Sequence, residues 1–475
     1  MSIYNYPEPK CPSYEKPTSI EQCLPQARIL ARKEHGRIAM GPVKKGDNIL
    51  IVTLFDQDIY VQEALTQALK EEGAEKVTFI CEHDLANGQP RLFDVAEGWK
   101  EADTMENVPW DMSGSSFYTD ISGNLRKFLS DHSEYTGVFY GLGGRKNLKY
   151  QLGEHIEKFR GCWVFNNWEE FLSRTWVYPD ELEVEIERKI IEAIGNASAV
   201  RITDPEGTHL EYSLSADDAK RWQINAWDPG HLLLDPFQAT TEECSRKPVS
   251  PDVSPVFLDI SGVLAGTSNH MGYYPRMELF FERGRLLKVN GGGKYGDLIR
   301  ELMEKYKDVH WPGYPDKGFF WYCDAALCTV VKSFRRTSDM FKSYWRLPNI
   351  TERNRAGVFH MGIGSRRHGR EYLKYAEGRK LPMGHIHVHL YFATFEIKLQ
   401  GTNHWVKIID KGRPIVMDDP EIRGIAVKYG DPDELLRFDW VPPLPGINCE
   451  GNYFQDYAND PVAYIKHRLQ TKQSV

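Results

Sequence analysis

Along the first part of the chain the apolar positions follow two alternating signatures. In "GDNILIVTLFD" (46–56) a turn runs into a continuous apolar stretch, and "YVQEALTQALKEEGAEKVTFICEHD" then shows apolar residues at helical spacing, a Gly stop and a second apolar stretch. That order predicts a β-α-β unit. Further short apolar runs, "TGVFYGLGG" and "GCWVFNNW", alternate with helical stretches up to "DELEVEIERKIIEAIGNA", a helix closing near Gly195-Asn196. Residues 1–197, a Pro-rich leader included, are therefore expected to form an open, mostly parallel α/β domain.

From "SAVRITDPEGTHLEYSL" onward the pattern changes to short strands and turns, with "MELFFERGRLLKVNGGG" and "GTNHWVKIIDKGRPI" reading as hairpins around Gly. Residues 198–475 thus read as a second, β-rich α+β domain that carries the chemistry. The segment 310–341 is unusually aromatic and is read most simply as packed on the core, the alternative being the wall of a pocket. Neither an internal repeat nor a low-complexity tract interrupts the pattern.

Composition narrows the class of partner. A chain of 475 residues with 41% hydrophobic content can bury a large core, and its net charge of −8 is spread without a Lys/Arg block that could neutralise a run of phosphates. A small-molecule or peptide substrate is expected rather than nucleic acid. The start "MSIYNYPEPKCPSYEKP" has no basic-then-apolar signal sequence, and no later stretch offers ~20 uncharged apolar residues, so a cytoplasmic protein without membrane contact is expected. Eight cysteines are scattered without a CxxC pair and read as reduced thiols, mostly in the core.

The stretch "KLPMGHIHVHLYF" spaces His385, His387 and His389 two apart. On a strand all three share one face, while Ile386, Val388 and Leu390 share the other, and same-face neighbours lie roughly 6.6 Å apart. Two imidazoles at that spacing can meet one ion at ~2.0–2.1 Å; the competing reading is a half-exposed strand with its histidines toward solvent. A metal would need a ligand from another segment, and "AGVFHMGIGSRRHGRE" supplies His360 beside glycines that allow close backbone approach. The same segment carries Arg366, Arg367, His368 and Arg370, either a solvated turn or forks for a substrate's anionic group. "SNHMGYYPRME" adds His270, Tyr273, Tyr274 and Arg276, of which His270 and Tyr274 are candidates for proton transfer. "GLGGRKN" matches neither a P-loop nor a dinucleotide fingerprint and is read as a turn.

"GVFHMGIGS", "HVHLYFATFEIKLQG" and "KIIDKGRPI", together with "FFERGRLLKVNGG" and the 46–77 stretch, resemble the aminopeptidase T-type metalloaminopeptidases and the related 2,5-dihydroxypyridine dioxygenases. The resemblance touches most of the chain through short motifs. It places the peptidases' His-x-Asp metal pair on His387 and His389, with His where they have Asp, and their earlier His ligand on His360. Their catalytic Tyr falls on Arg367, one Glu ligand has Asp324 as its candidate counterpart, and the other Glu has none. His385 lies outside the motif and is expected to orient a ligand or donate a proton.

A pair of divalent ions ~3.5–4 Å apart needs bridging carboxylates, whereas three neutral imidazoles suit a single ion with open positions. The resemblance therefore implies one Fe(II) per chain and O2-dependent ring opening of a small hydroxylated aromatic or N-heteroaromatic substrate, as in aromatic degradation, by a homo-oligomer. The alternative it implies is an aminopeptidase-like hydrolase using Zn or Mn. A binding protein that kept the fold and lost the chemistry is the third class.

Overall fold

A computed structural model of the chain describes residues 6–35, 39–53, 57–81, 85, 92–93, 116–140, 152–162, 168–225, 229–234, 259–269, 272–311, 314–334, 343–344, 354–364, 378–379 and 385–471. The chain divides into two compact units, an α/β unit of residues 12–91 and 113–184 and a β-rich unit of residues 1–11, 92–112 and 185–475.

In the α/β unit, β1 (Asn48–Thr53), β2 (Lys76–Cys81), β3 (Gly137–Tyr140) and β4 (Phe159–Cys162) form a parallel sheet in the order β2-β1-β3-β4. A strand inside a parallel sheet is covered on both faces, which is why Ile49 to Val52 are uninterrupted and at most 2% exposed. Helix α1 (Leu24–Arg32) precedes the sheet, and α2 (Ile59–Glu71) joins β1 to β2. The side chain of Asp58 caps α2 by accepting from Tyr60 N, and the helix buries Val61, Ala64, Leu65, Ala68 and Leu69, the i, i+3, i+4 stripe of an amphipathic helix. Gly73 ends the α2 turn at φ +121°, where a Cβ would lie 3.2 Å from Lys45 backbone atoms. Helix α3 (Ser116–Asp131) precedes β3.

The boundary between the units falls inside helix α4 (Asp180–Ile194). In the β-rich unit, beside a small pair of Leu92–Phe93 with Ser343–Tyr344, the strands are β5 (Ala197–Thr203), β6 (His209–Ser213), β7 (His231–Leu233), β8 (Ser261–Asn269), β9 (Gly272–Glu282), β10 (Arg285–Gly291), β11 (Trp321–Cys328), β12 (Phe359–Gly364), β13 (His385–Leu390), β14 (Thr394–Leu399), β15 (Trp405–Asp410) and β16 (Arg413–Pro414). They form one twelve-stranded sheet in the order β13-β12-β11-β10-β9-β8-β6-β5-β14-β15-β16, with β7 paired to β11. Two hairpins turn through two residues with φ near +50 to +80°, Arg283-Gly284 and Lys411-Gly412, the backbone that matches strand twist. The fold is therefore a parallel α/β sheet followed by a β-rich region, the order that the apolar patterning predicts.

The aromatic stretch is core where it is described: Trp311, Phe319, Phe320, Trp321 and Tyr322 are each at most 2% exposed. Cys11, Cys23, Cys323, Cys328 and Cys449 carry thiols that are not joined in disulfides. No described helix is long and apolar enough to cross a membrane.

Candidate metal centre

Residues facing each other across an antiparallel pair point to the same side of the sheet. Strand β12 reads Phe-His-Met-Gly-Ile-Gly, so His360, Gly362 and Gly364 share one side; opposite them in β13 stand His389, His387 and His385 respectively. On its other edge β12 pairs with β11, Ala326 facing His360 and Asp324 facing Gly362. One row of the sheet thus runs Ala326, His360, His389, and the next runs Asp324, Gly362, His387.

The small residues in these rows decide what the imidazoles can do. Gly362 contributes no side chain beside His387, and the His387 ring closes on that of His360 to a centroid distance of 4.1 Å. His389, directly across from His360, brings its ring to 5.4 Å. On the far side only the methyl of Ala326 stands in the row, and a further imidazole reaches His360: that of His231, 5.2 Å away with its plane at 79°. His231 comes from β7, which pairs with β11 so that His231 faces Cys328 and Leu233 faces Ala326.

All four imidazoles are buried, with His231 5%, His360 1%, His387 6% and His389 0% exposed. The opposite face of β13 is buried as well. Ile386, Val388 and Leu390 are at most 1% exposed, and a Cβ on Gly266 of β8 would lie 2.6 Å from Val388 Cγ1. From Ile386 to Leu390 the strand is therefore covered on both sides rather than half open to solvent.

An imidazole nitrogen at ~2.0–2.1 Å from an ion keeps its ring centroid about 3 Å from it, so two ligands on one ion have centroids roughly 4–6 Å apart. The three distances around His360 fall in that range, and neutral nitrogen donors on a buried sheet suit Fe, Zn, Cu or Ni. Among the described residues no three donor nitrogens of this set all lie within 4.8 Å of one another, so gathering three on one ion calls for rotation about χ1 and χ2.

The remaining sequence candidates divide by position. His385 faces Gly364 in the β12–β13 ladder, one pair beyond His387. Tyr274 is fully buried in β9, donates its hydroxyl to the Ser268 carbonyl at 3.1 Å and packs its ring 5.1 Å from that of Tyr295; burial holds its hydroxyl well above the usual tyrosine pKa. His270, Arg366, Arg367 and Arg370 lie outside the described residues. His231 is the residue that sequence reasoning did not single out. Its signal was faint, a Pro-Gly turn leading into "HLLL".

No protein-family model and no curated protein matches the sequence. In structure the chain is similar to a 2,5-dihydroxypyridine dioxygenase from Pseudomonas putida KT2440, with a TM-score of 0.42 and 12% identity over 86% of this chain and 99% of that one. It is also similar to wild-type AmpT from Thermus thermophilus, with a TM-score of 0.42 and 14% identity over 84% of this chain and 100% of that one.

Proposed function

We propose that the chain is a mononuclear non-haem Fe(II) dioxygenase that opens the ring of a small hydroxylated aromatic or N-heteroaromatic substrate, with His360, His387 and His389 holding the ion. The observation that carries this reading is the closure of the His387 and His389 rings on His360 in a buried row. The sequence motifs that resemble the dihydroxypyridine dioxygenases support it from a separate direction.

An iron(II) ion in this place would supply a route for electrons from an electron-rich ring to O2. In ring-opening dioxygenation both oxygen atoms enter the product and the ring furnishes the electrons, so no further reductant is needed. The residues of the chain do the rest. Burial of the row keeps bulk water from the reacting atoms. Neutral imidazoles leave the full positive charge of the site to attract an anionic, chelating substrate. His385 is assigned to orienting a ligand or donating a proton, and His270 and Tyr274 to proton transfer. Of Arg366, Arg367 and Arg370, Arg367 is assigned to the substrate's anionic group. Changing the true clamp to Gln should raise KM about tenfold or more, since a charge-assisted hydrogen bond contributes ~1.5–3 kcal/mol; unchanged kinetics in all three variants would leave the turn as solvated surface.

Anaerobic reconstitution with Fe(II), followed by O2 uptake with a panel of hydroxylated aromatic acids and aminoacyl substrates, tests the reading. O2 consumption with one of the aromatics and no release of amino acids is the expected result. Amino-acid release with Zn or Mn and no O2 uptake would replace the dioxygenase by the hydrolase.

A further inference from the structure

The tip of the β5–β6 hairpin reads Asp204-Pro205-Glu206-Gly207-Thr208, a composition suited to a solvated turn. Its acids are buried instead. Asp204 is 8% and Glu206 1% exposed, and residues from both ends of the chain lie against them. From the C-terminal side comes the helical turn Tyr453–Tyr457. The Tyr453 hydroxyl donates to Glu206 Oε1 at 2.7 Å, and the Tyr457 hydroxyl stands 3.3 Å from that of Thr267, which donates to the same oxygen at 2.7 Å. From the N-terminal side comes Tyr6, its ring 5.5 Å from that of Phe392, whose backbone N–H donates to Asp204 at 3.2 Å. The two ends are also joined to each other, through paired backbone bonds between Lys10 and Val441 and a bond from Asn448 to the Pro7 carbonyl.

Cover of this kind is unfavourable for a charge. Glu206 Oε2 is buried with no hydrogen-bond partner among the described residues, and the Arg276 guanidinium donates to the Glu206 carbonyl at 2.6 Å and to Glu278 at 2.9 Å rather than to either acid. Burial raises both carboxyls above the usual range, and the charge of Asp204 adds to the rise of Glu206, against which the Tyr453 and Thr267 hydroxyls and the Arg276 charge act only in part. The neighbours do not share that range. Burial raises the hydroxyls of Tyr6, Tyr274 and Tyr453, while Glu278, despite its burial, is lowered by the hydrogen bond from Arg276. On the far side of Tyr6, Lys411 Nζ lies 5.3 Å from its ring centroid and Asp410 adds a negative charge.

The C-terminal cover is lightly anchored. Helix Pro461–Gln470 buries Pro461 and Ile465 alone of its own residues, Phe454 is exposed, and the bond that ties the segment to β9 runs from Arg276 N to the Ala458 carbonyl at 2.7 Å. We propose that the Asp204–Glu206 tip and the segment 453–470 form a proton-operated latch, in which the segment lies closed over the protonated acids and opens as they ionise, leaving the tip an ordinary solvated turn. The latch is independent of the metal reading. A closed state that holds its protons more tightly than the open one is fully favoured below the ordinary carboxyl range, ~4, and loses that advantage as pH rises through the raised values.

Hydrogen exchange of the full-length protein, read by mass spectrometry from about pH 5 to 8 and corrected for the intrinsic pH dependence of amide exchange, measures the opening. Opening of the 453–470 segment should increase about tenfold or more over that range, and opening of the β9–β10 hairpin should not. The double variant Asp204→Asn, Glu206→Gln carries neutral amides in place of both acids and should remove the pH dependence. Tyr453→Phe deletes a donor that acts only in the closed state and should open the segment at every pH with the slope kept. Circular dichroism establishes that each variant is folded, and the wild-type series decides the matter if the double variant is not. Opening of the wild-type segment that does not change with pH, an equal change in the hairpin, or undiminished pH dependence in a folded double variant would overturn the proposal.

Discussion

Glu206 and His360 are each 1% exposed and both belong to the β-rich unit, yet their surroundings are opposite in kind. Glu206 sits in the turn between β5 and β6, where its Oε1 accepts from the Thr267 hydroxyl at 2.7 Å and the Tyr453 hydroxyl at 2.7 Å. Asp204, two residues earlier, accepts from Glu206 N at 2.9 Å and Phe392 N at 3.2 Å. The Arg276 guanidinium turns away, to the Glu206 carbonyl and to Glu278. Burial therefore holds both carboxyls well above the usual carboxylate range, and the charge of Asp204 raises Glu206 further. An upward shift of this kind favours the protonated form of each carboxyl. An imidazole, by contrast, can be buried in its neutral form, and in the histidine row the rings of His387, His231 and His389 stand 4.1, 5.2 and 5.4 Å from that of His360. The carboxylate pair is served by hydroxyls and backbone N–H groups, while the imidazoles stand beside Gly362 and Ala326 with their rings against that of His360, the arrangement on which the proposed metal site rests.

Four changes would break or sharpen that contrast. The largest effect is expected from His360→Ala. Wild type should gain ~2.7 kcal/mol of stability at a metal concentration 100 times its Kd, and the variant should gain almost none while its apo form stays folded; thermal unfolding with and without Co(II) measures both. Next is His389→Asp, which introduces into the row the carboxylate it lacks. This variant should keep one iron but bind an anionic substrate about tenfold more weakly, because the new charge opposes the substrate's, and it should gain no aminopeptidase activity; a second bound ion together with amino-acid release would reverse the ranking of the two functions.

The third change, Glu206→Gln, acts on the acid pocket. A carboxyl whose folded-state pKa is raised contributes stability that is complete below its ordinary value, ~4.3, and is lost as pH rises through the raised value. Unfolding free energy should therefore fall from mildly acidic pH upward in wild type, and the slope should be much reduced in Glu206→Gln, with Asp204 supplying the remainder; equal slopes in denaturant titrations across that range would refute the assignment. The smallest effect is expected for Thr267→Val, which removes one of two donors to Glu206 and should cost ~1–2 kcal/mol without altering metal affinity.

How much of this was legible in the sequence follows from which interactions are local. The β1-α2-β2 unit was readable because a fully buried strand is a continuous apolar run and a helix shows its 3.6 period, both within about 25 residues. The alternation in "HIHVHL" fixed which side of β13 the histidines share, since direction on a strand is set by the backbone alone. The pairing of His360 with His389 depends on register between segments some 25 residues apart, and only the motif resemblance hinted at it. His231 could not be found this way. It reaches His360 across an intervening strand, over Ala326, and Gly230 just before it is tied to Glu187 on a helix more than 40 residues earlier. The acid pocket was likewise silent, because "TDPEGT" looks like an ordinary charged turn until Thr267 and Tyr453 close over it. Tyr274 drew notice for its hydroxyl but lies within strand β9 at a place where Tyr273 and Tyr274 are both buried, which the alternation of a strand does not foretell.

The central claim, that one ion is held by the imidazoles around His360, is tested most directly by iron analysis of anaerobically reconstituted, desalted protein, comparing wild type with His387→Ala. The account predicts about one iron per chain in wild type and close to none in a folded His387→Ala variant. Two ions per wild-type chain, or full occupancy in the variant, would contradict it.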